Sequence, residues 1–209
     1  TPYAIKTHIR EYYAIITHLD EQIGKILKAL EASGRADNTY IFFTGDHGLS
    51  VGKHGLLGKQ SLFDHSIRVP LLITGPDIPK NKTIEHEIYL QDIMASSLEL
   101  AEIPKPKSVA FKSFLSLIKA KEKKLLYPEG IYGAYMDSQR MIRKDGYKLI
   151  IYPKIKKILL FDLKNDPLEQ QDISDKIRHR NTVKNLFENL LLLQRKHNDS
   201  LDLSGILAP

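Results

Sequence analysis

Apolar residues recur at three- and four-residue steps along the first segment, from Ile9 through Tyr12, Tyr13, Ile16, Leu19, Ile23, Ile26 and Leu27 to Leu30. That period puts them on one face of a helix, which Gly34 stops. Beyond the turn residues Asp37 and Asn38, the run Thr39-Tyr40-Ile41-Phe42-Phe43-Thr44 is apolar and β-rich without alternation. Such a run predicts a strand covered on both faces. Val69-Pro70-Leu71-Leu72-Ile73-Thr74 is a second one, ending at Gly75-Pro76, with Pro70 expected at its start or edge. A helix leading into a buried strand points to an α/β sheet. Between the two runs lie 24 positions, residues 45 to 68, rich in Gly and His. They are too many for a plain connection in a compact domain and predict a functional loop.

Leu90, Ile93, Met94, Ser97, Leu98 and Ala101 fall on one side of a following helix, which Pro104 and Pro106 end. Residues 102 to 128 read as a looser link. The pattern then changes to short strands at 130–135, 140–143, 147–152 and 158–161, with Asp145-Gly146 as a hairpin turn between the second and third. Asn165-Asp166-Pro167 closes the last strand, and a final helix is expected from about Asn181 to His197 with Val183, Leu186, Phe187, Leu190 and Leu193 inward. Strands followed by one helix make a small α+β unit.

Composition narrows the chemistry. The 209 residues carry 31 Lys+Arg against 25 Asp+Glu, are 42% apolar and contain neither Cys nor Trp. Without cysteine there is no disulfide framework, no thiolate metal site and no thiol nucleophile. No apolar stretch approaches the roughly 20 residues that cross a bilayer. The start, Thr1-Pro2-Tyr3-Ala4, has neither an initiating Met nor the shape of a signal peptide, so the chain reads as the inside of a longer one. The excess positive charge is dispersed: Lys124, Lys154, Lys156 and Lys157 stand among apolar residues, as on solvated faces. Neither a nucleic-acid nor a membrane partner is expected.

The loop concentrates the candidate chemistry. Gly45-Asp46-His47-Gly48 directly follows the first strand, at the carboxyl end where open α/β sheets place their ligands. Asp46 and His47 can both reach a cation if the chain turns sharply, which the flanking glycines permit; the plainer alternative is a capping Asp beside a surface His. Lys53-His54-Gly55, Gly58-Lys59, Ser61-Leu62-Phe63-Asp64 and Ile67-Arg68-Val69-Pro70 follow.

With these pieces the sequence resembles the sulfatase family, within the alkaline-phosphatase-like superfamily. The matching stretch is Phe43-Thr44-Gly45-Asp46-His47-Gly48, Gly52-Lys53-His54-Gly55, Gly58-Lys59 and Ile67 through Pro76, in order and at the family's spacing. Tyr12-Tyr13-Ala14 with Leu19-Asp20 and Ile23-Gly24, Leu90 through Met94, Gly146 through Ile150, and Phe161-Asp162-Leu163 with Asn165-Asp166-Pro167 and Glu169 also resemble it. The resemblance implies that residues 1–105 are the carboxy-terminal part of an alkaline-phosphatase-like α/β/α sheet domain and 106–209 a small α+β subdomain, an antiparallel sheet with a terminal helix. It places Asp46 and His47 on two ligands of a divalent cation, usually calcium, with magnesium or another divalent ion as the alternative. Lys59 falls on the lysine that contacts the sulfate oxygens. His54 falls on a histidine that either lines the substrate pocket or holds the glycine-rich loop. The chemistry agrees, because sulfuryl transfer spreads negative charge over oxygens that a fixed cation and an ammonium stabilise.

Other residues read as structural. Asp64 and Arg68 are expected to form an ion pair that anchors the loop. Tyr132, Tyr135, Arg140 and Arg143 are expected to serve strand packing and solvated charge more than a substrate cleft.

The resemblance also implies an absence. Sulfatases use a formylglycine made from the first residue of a Cys/Ser-x-Pro-x-Arg motif, and no such motif occurs here. The nucleophile and further metal and sulfate contacts are therefore expected in a missing amino-terminal half, which becomes this chain's first partner, and the fragment alone is expected to be inactive. A sulfated small molecule or sulfated glycan is the expected substrate. The alternatives are a phosphonate or phosphate monoester hydrolase of the same superfamily and a non-catalytic module holding sulfated glycans. Members of the family are commonly periplasmic, secreted or lysosomal, and the sequence leaves the compartment of this chain open.

Overall fold

A computed structural model describes residues 1–119 and 126–207; Lys124 lies outside them. The chain forms two units, Thr1–Lys59 with Arg68–Lys82 and Gln60–Ile67 with Thr83–Pro209.

The first unit opens with α1 (Pro2–Ala32), longer at its amino end than the apolar period suggests. Thr1 accepts a hydrogen bond from the Ala4 amide, and Pro2 occupies a position that has no intrahelical use for an N–H. Gly34, at φ 68°, lets the chain leave the helix in a left-handed turn. No residue of α1 is buried, and Leu19 and Ile26 on its apolar stripe are exposed. Strands β1 (Ile41–Thr44) and β2 (Leu71–Thr74) pair antiparallel, from Ile41 opposite Thr74 to Thr44 opposite Leu71. Pro70 stands just before β2, where its missing N–H costs no ladder bond. The expected cover on both faces is not found. Phe43 and Leu72 lie directly opposite each other and are 39% and 64% exposed. Side chains of a strand alternate, so a two-stranded ribbon buries one face only if a layer packs there, and the face that carries Phe43 and Leu72 stays partly exposed.

The second unit contains α2 (Asp64–Ile67), α3 (Asp92–Leu100), α4 (Leu115–Lys119), strands β3 (Ile131–Tyr135), β4 (Gln139–Lys144), β5 (Tyr147–Tyr152) and β6 (Lys157–Asp162), and α5 (Arg180–Lys196). The four strands form one antiparallel sheet in sequence order. Asp145 and Gly146 both take positive φ, 52° and 80°, the geometry a tight hairpin of right-handed twist requires. On one sheet face Ile142, Leu149, Ile151 and Leu160 meet Val183, Leu186, Phe187, Leu190 and Leu193 of α5. On the other, Met141, Ile150 and Phe161 meet Leu62 and Phe63. With both faces covered, Leu149, Ile150 and Ile151 are all fully buried, as their unbroken apolar run requires.

Two expectations are corrected in this unit. The link at 102–128 contains α4, which buries Leu115, Leu117 and Ile118; five residues are too few for a period to show. Helix α3 exists, but it turns Asp92, Ala95 and Ser96 inward and leaves Met94 exposed, against the expected apolar side. The reason is hydrogen bonding. Asp92 accepts from the amides of Tyr89 (2.8 Å) and Lys112 (3.0 Å) and from the Tyr127 hydroxyl. Ser96 accepts from the Phe114 amide at 3.0 Å. These polar side chains satisfy loop backbone that burial would otherwise leave unpaired.

Candidate active site

Strand β1 ends at Thr44, and Gly45 carries the chain directly into Asp46 and His47. Asp46 Oδ1 accepts from the His47 amide at 2.9 Å, which folds the carboxylate back over its neighbour while 85% of the side chain stays exposed. His47 Nδ1 lies 3.1 Å from the Gly48 carbonyl oxygen. A carbonyl can only accept, so Nδ1 carries the proton and Nε2 presents a lone pair. Lys59 Nζ donates to that Nε2 at 2.5 Å, across 12 residues of loop. Asp46 Oδ2 lies 3.3 Å from the same nitrogen. Two lone-pair groups so close repel unless positive charge stands beside them, and the Lys59 ammonium supplies it here.

The loop between these residues is held by its own backbone. Ser50 is buried and donates to the Gly58 carbonyl twice, from its amide at 2.9 Å and from its hydroxyl at 2.6 Å. Gly52 donates to Leu56 at 2.7 Å and Lys53 to Ser50 at 3.0 Å. Val51, Gly52, His54 and Gly55 all take positive φ, an arrangement that strains the β-branched Val51 and the His. Gly52 has a second reason to be glycine: a Cβ there would lie 2.6 Å from Ile5 Cγ2 of α1. Of the four candidate residues, the contacts unite Asp46, His47 and Lys59. His54 sits exposed on the intervening loop at φ 53°.

Asp64, Tyr132, Arg140 and Arg143 make their contacts within the second unit, and the expected solvated charge is corrected for Arg140, which is buried because a carboxylate partner meets it there. Tyr132 donates from its hydroxyl to Asp199, and Arg140 pairs with the same carboxylate at 2.5 Å. Arg143 pairs with Asp64 at 2.8 Å and with Glu87. Burial pushes the Asp64 carboxyl up, but the Lys148 and Arg143 cations outweigh this and hold it below the usual aspartate range. Tyr135 packs against the Met141, Ile150 and Phe161 side of the sheet. Three residues of the second unit gain importance that no site reading gave them: Gln139, Lys148 and Glu169. The only signal was that Lys148 and Glu169 stand in pieces of the resemblance that carried no assigned role.

For a metal, Asp46 and His47 offer a carboxylate and one imidazole nitrogen. Among the described residues no group of three or more His, Cys, Asp or Glu could hold an ion. Calcium takes roughly six to eight oxygens, so the residues present do not make a complete site.

A family model described as Sulfatase matches residues 3–103, the stretch that holds α1, β1, the loop, β2 and α3. Arylsulfatase K of Bos taurus is 33% identical over 177 residues, 79% of this chain and 33% of that protein. The chain belongs to the sulfatase family. Its extent is partial: it spans about a third of arylsulfatase K. A structure solved in complex with its substrate D-glucosamine-2-N,6-O-disulfate superposes with TM-score 0.84 at 27% identity, over 91% of this chain and 41% of that one. The phosphonate monoester hydrolase of Agrobacterium radiobacter has the same fold, with TM-score 0.77 at 24% identity over 89% of this chain and 41% of its own. The expected alkaline-phosphatase-like α/β fold is therefore the fold of this sulfatase-family chain, with the antiparallel sheet and terminal helix of residues 131–196 as its α+β part.

Proposed function

We propose that this chain is the carboxy-terminal part of a sulfatase that hydrolyses a sulfate ester on a sugar, and that its share of the active site is Asp46, His47 and Lys59. The contact of Lys59 Nζ with His47 Nε2, beside the Asp46 carboxylate, carries the reading. In this arrangement the Lys59 ammonium neutralises the charge that develops on the sulfuryl oxygens. Asp46 and, once Lys59 turns from it to the sulfate, the Nε2 lone pair contribute two donors toward a divalent cation, calcium first and magnesium second, whose remaining oxygens come from outside these 209 residues. A bound cation would polarise the sulfate oxygens as a Lewis acid. The nucleophile, a formylglycine, also lies outside, since the chain has no Cys and no Ser-x-Pro-x-Arg. A sulfated sugar is favoured because the superposable structure holds a glucosamine disulfate as its substrate.

Turnover of aryl sulfate against aryl phosphate and aryl phosphonate by the intact protein tests this. Faster sulfate cleavage, reduced about a hundredfold or more by Asp46→Ala, is expected. Faster phosphonate or phosphate cleavage would assign the other hydrolase class. Salt-sensitive heparin binding that is indifferent to Asp46→Ala, with no turnover, would assign a non-catalytic glycan-binding module.

A further inference from the structure

Three pieces of the sequence with no assigned role converge on one buried point. Lys148 of β5 is fully buried. Its ammonium donates to the Leu62 carbonyl at 3.2 Å and to Asp64 Oδ1, and lies 2.5 Å from Glu169 Oε1. Glu169 Oε2 accepts from the Asp64 amide at 2.6 Å. Gln139 of β4 accepts from the Leu62 amide at 3.1 Å and donates to the Gln60 carbonyl at 3.2 Å. Four backbone groups within five residues, Gln60 O, Leu62 N, Leu62 O and Asp64 N, are thus held by side chains of the sheet and of the turn after it. Arg143 adds a further bond to Asp64 Oδ2 at 2.8 Å.

This is more than burial of Leu62 and Phe63 requires. Apolar packing alone is non-directional and would let an irregular segment slide. Directed bonds to its backbone fix its register, and a buried ammonium between two carboxylates is costly to maintain unless the geometry is held. The clamped segment, Gln60–Ile67, begins at the residue after Lys59. Lys59 is three residues from Leu62, so at roughly 3.5 Å per residue its α-carbon stays within about 10 Å of the clamp.

We propose that Gln139, Lys148 and Glu169 form a positioning clamp: by fixing the backbone of Gln60–Asp64 they limit where the Lys59 ammonium can go. They act through Lys59 and touch no substrate. The role rests on the sulfatase reading proposed above, but the clamp has its own readout. Removing Lys148 alone leaves the buried Glu169 carboxylate without a cation and Asp64 with Arg143 alone, and is expected to unfold the sheet. Gln139→Met is therefore the principal variant, uncharged and of similar length, with Lys148→Met/Asp64→Asn/Glu169→Gln as a neutral counterpart.

The first measurement is amide hydrogen exchange of the 209-residue chain. Exchange at Leu62 and Asp64 should accelerate about tenfold or more in Gln139→Met, with Leu149 and Ile150 unchanged. The second is steady-state hydrolysis of aryl sulfate by the intact protein. There kcat should fall about tenfold or more per folded enzyme with KM held, because a loosened group costs the transition state most. Unchanged exchange at Leu62 and Asp64 overturns the clamp. Accelerated exchange with unaltered kcat and KM overturns the positioning role and leaves a merely structural tie. Absence of turnover in the unsubstituted protein overturns the sulfatase reading and the positioning role together, while the exchange result still decides whether the clamp orders the segment.

Discussion

Arg140 grips Asp199 with two nitrogens, Nε at 2.5 Å and Nη2 at 3.0 Å, and so pins the residues after α5 to strand β4. The guanidinium's hydrogen bonds, joined by the Tyr132 hydroxyl against the opposing effect of burial, hold the Asp199 carboxyl far below its ordinary value of 3.8. A carboxyl depressed by folding stabilises the protein fully above its unfolded value and ceases to do so as pH falls through its folded value. Asp199→Asn should therefore cost about 3 kcal/mol at neutral pH and flatten the loss of stability below about pH 4. Urea unfolding of both proteins between neutral pH and strong acid checks this; parallel pH profiles would contradict it.

Asp92 behaves in the opposite sense. Burial raises its carboxyl above the ordinary value, with the bonds from Tyr127, Tyr89 and Lys112 pulling the other way. Its contribution is fully present below the unfolded value and is lost as pH rises through the folded one. Asp92→Ala should destabilise the second unit by about 3 kcal/mol, because it strands the Lys112 and Tyr89 amides and the Tyr127 hydroxyl. Asp92→Asn keeps an acceptor for part of that set and should cost less, with weaker pH dependence across the acid range. Thermal unfolding of the two variants at pH 4 and pH 7 separates them.

Gly52 is the point where the loop rests on α1. Gly52→Ala must hold φ 95° with a Cβ placed 2.6 Å from Ile5 Cγ2, and should lower the stability of the first unit by about 2 kcal/mol. Gly55, at φ 72° with open space around it, should tolerate Asn better than Gly52 tolerates Ala. Comparison of the two melting temperatures decides the ranking.

Calcium affinity offers a direct check on the two-donor site. Titration of calcium into the 209-residue chain should give a dissociation constant weaker than about 1 mM, since one carboxylate and one imidazole leave most of the ion's coordination to water. Micromolar binding abolished by Asp46→Ala would mean that other oxygens of this chain complete the site.

Much of the architecture is local and was readable. The stripe from Ile9 to Leu30, the inward positions Val183 to Leu193 and the Asp145-Gly146 turn each write their structure into a few neighbouring residues. Asp46, His47 and Lys59 were singled out as candidates by the order and spacing of the loop motifs, and their mutual contact agrees with that choice, whereas the burial of Arg140 against Asp199 was not legible, since its charge was expected to be solvated. The inward face of α3 was not, because Asp92 and Ser96 are buried for the sake of Tyr127, Lys112 and Phe114, which lie 18 to 35 residues away.

The sequence by itself singled out the candidate residues Asp46, His47, His54 and Lys59 and determined most of the longer helices and strands, since residue type, backbone preference and period are properties of short stretches. Only the tertiary structure decided that Lys59 meets His47 Nε2, that Phe43 and Leu72 share an open face, and that Lys148, a residue type ordinarily exposed, is fully buried between Asp64 and Glu169. Each of these depends on a contact between residues far apart in the chain. A hydrogen bond or ion pair is worth having in a buried place only when its distant partner arrives there too, and no local pattern records that arrival.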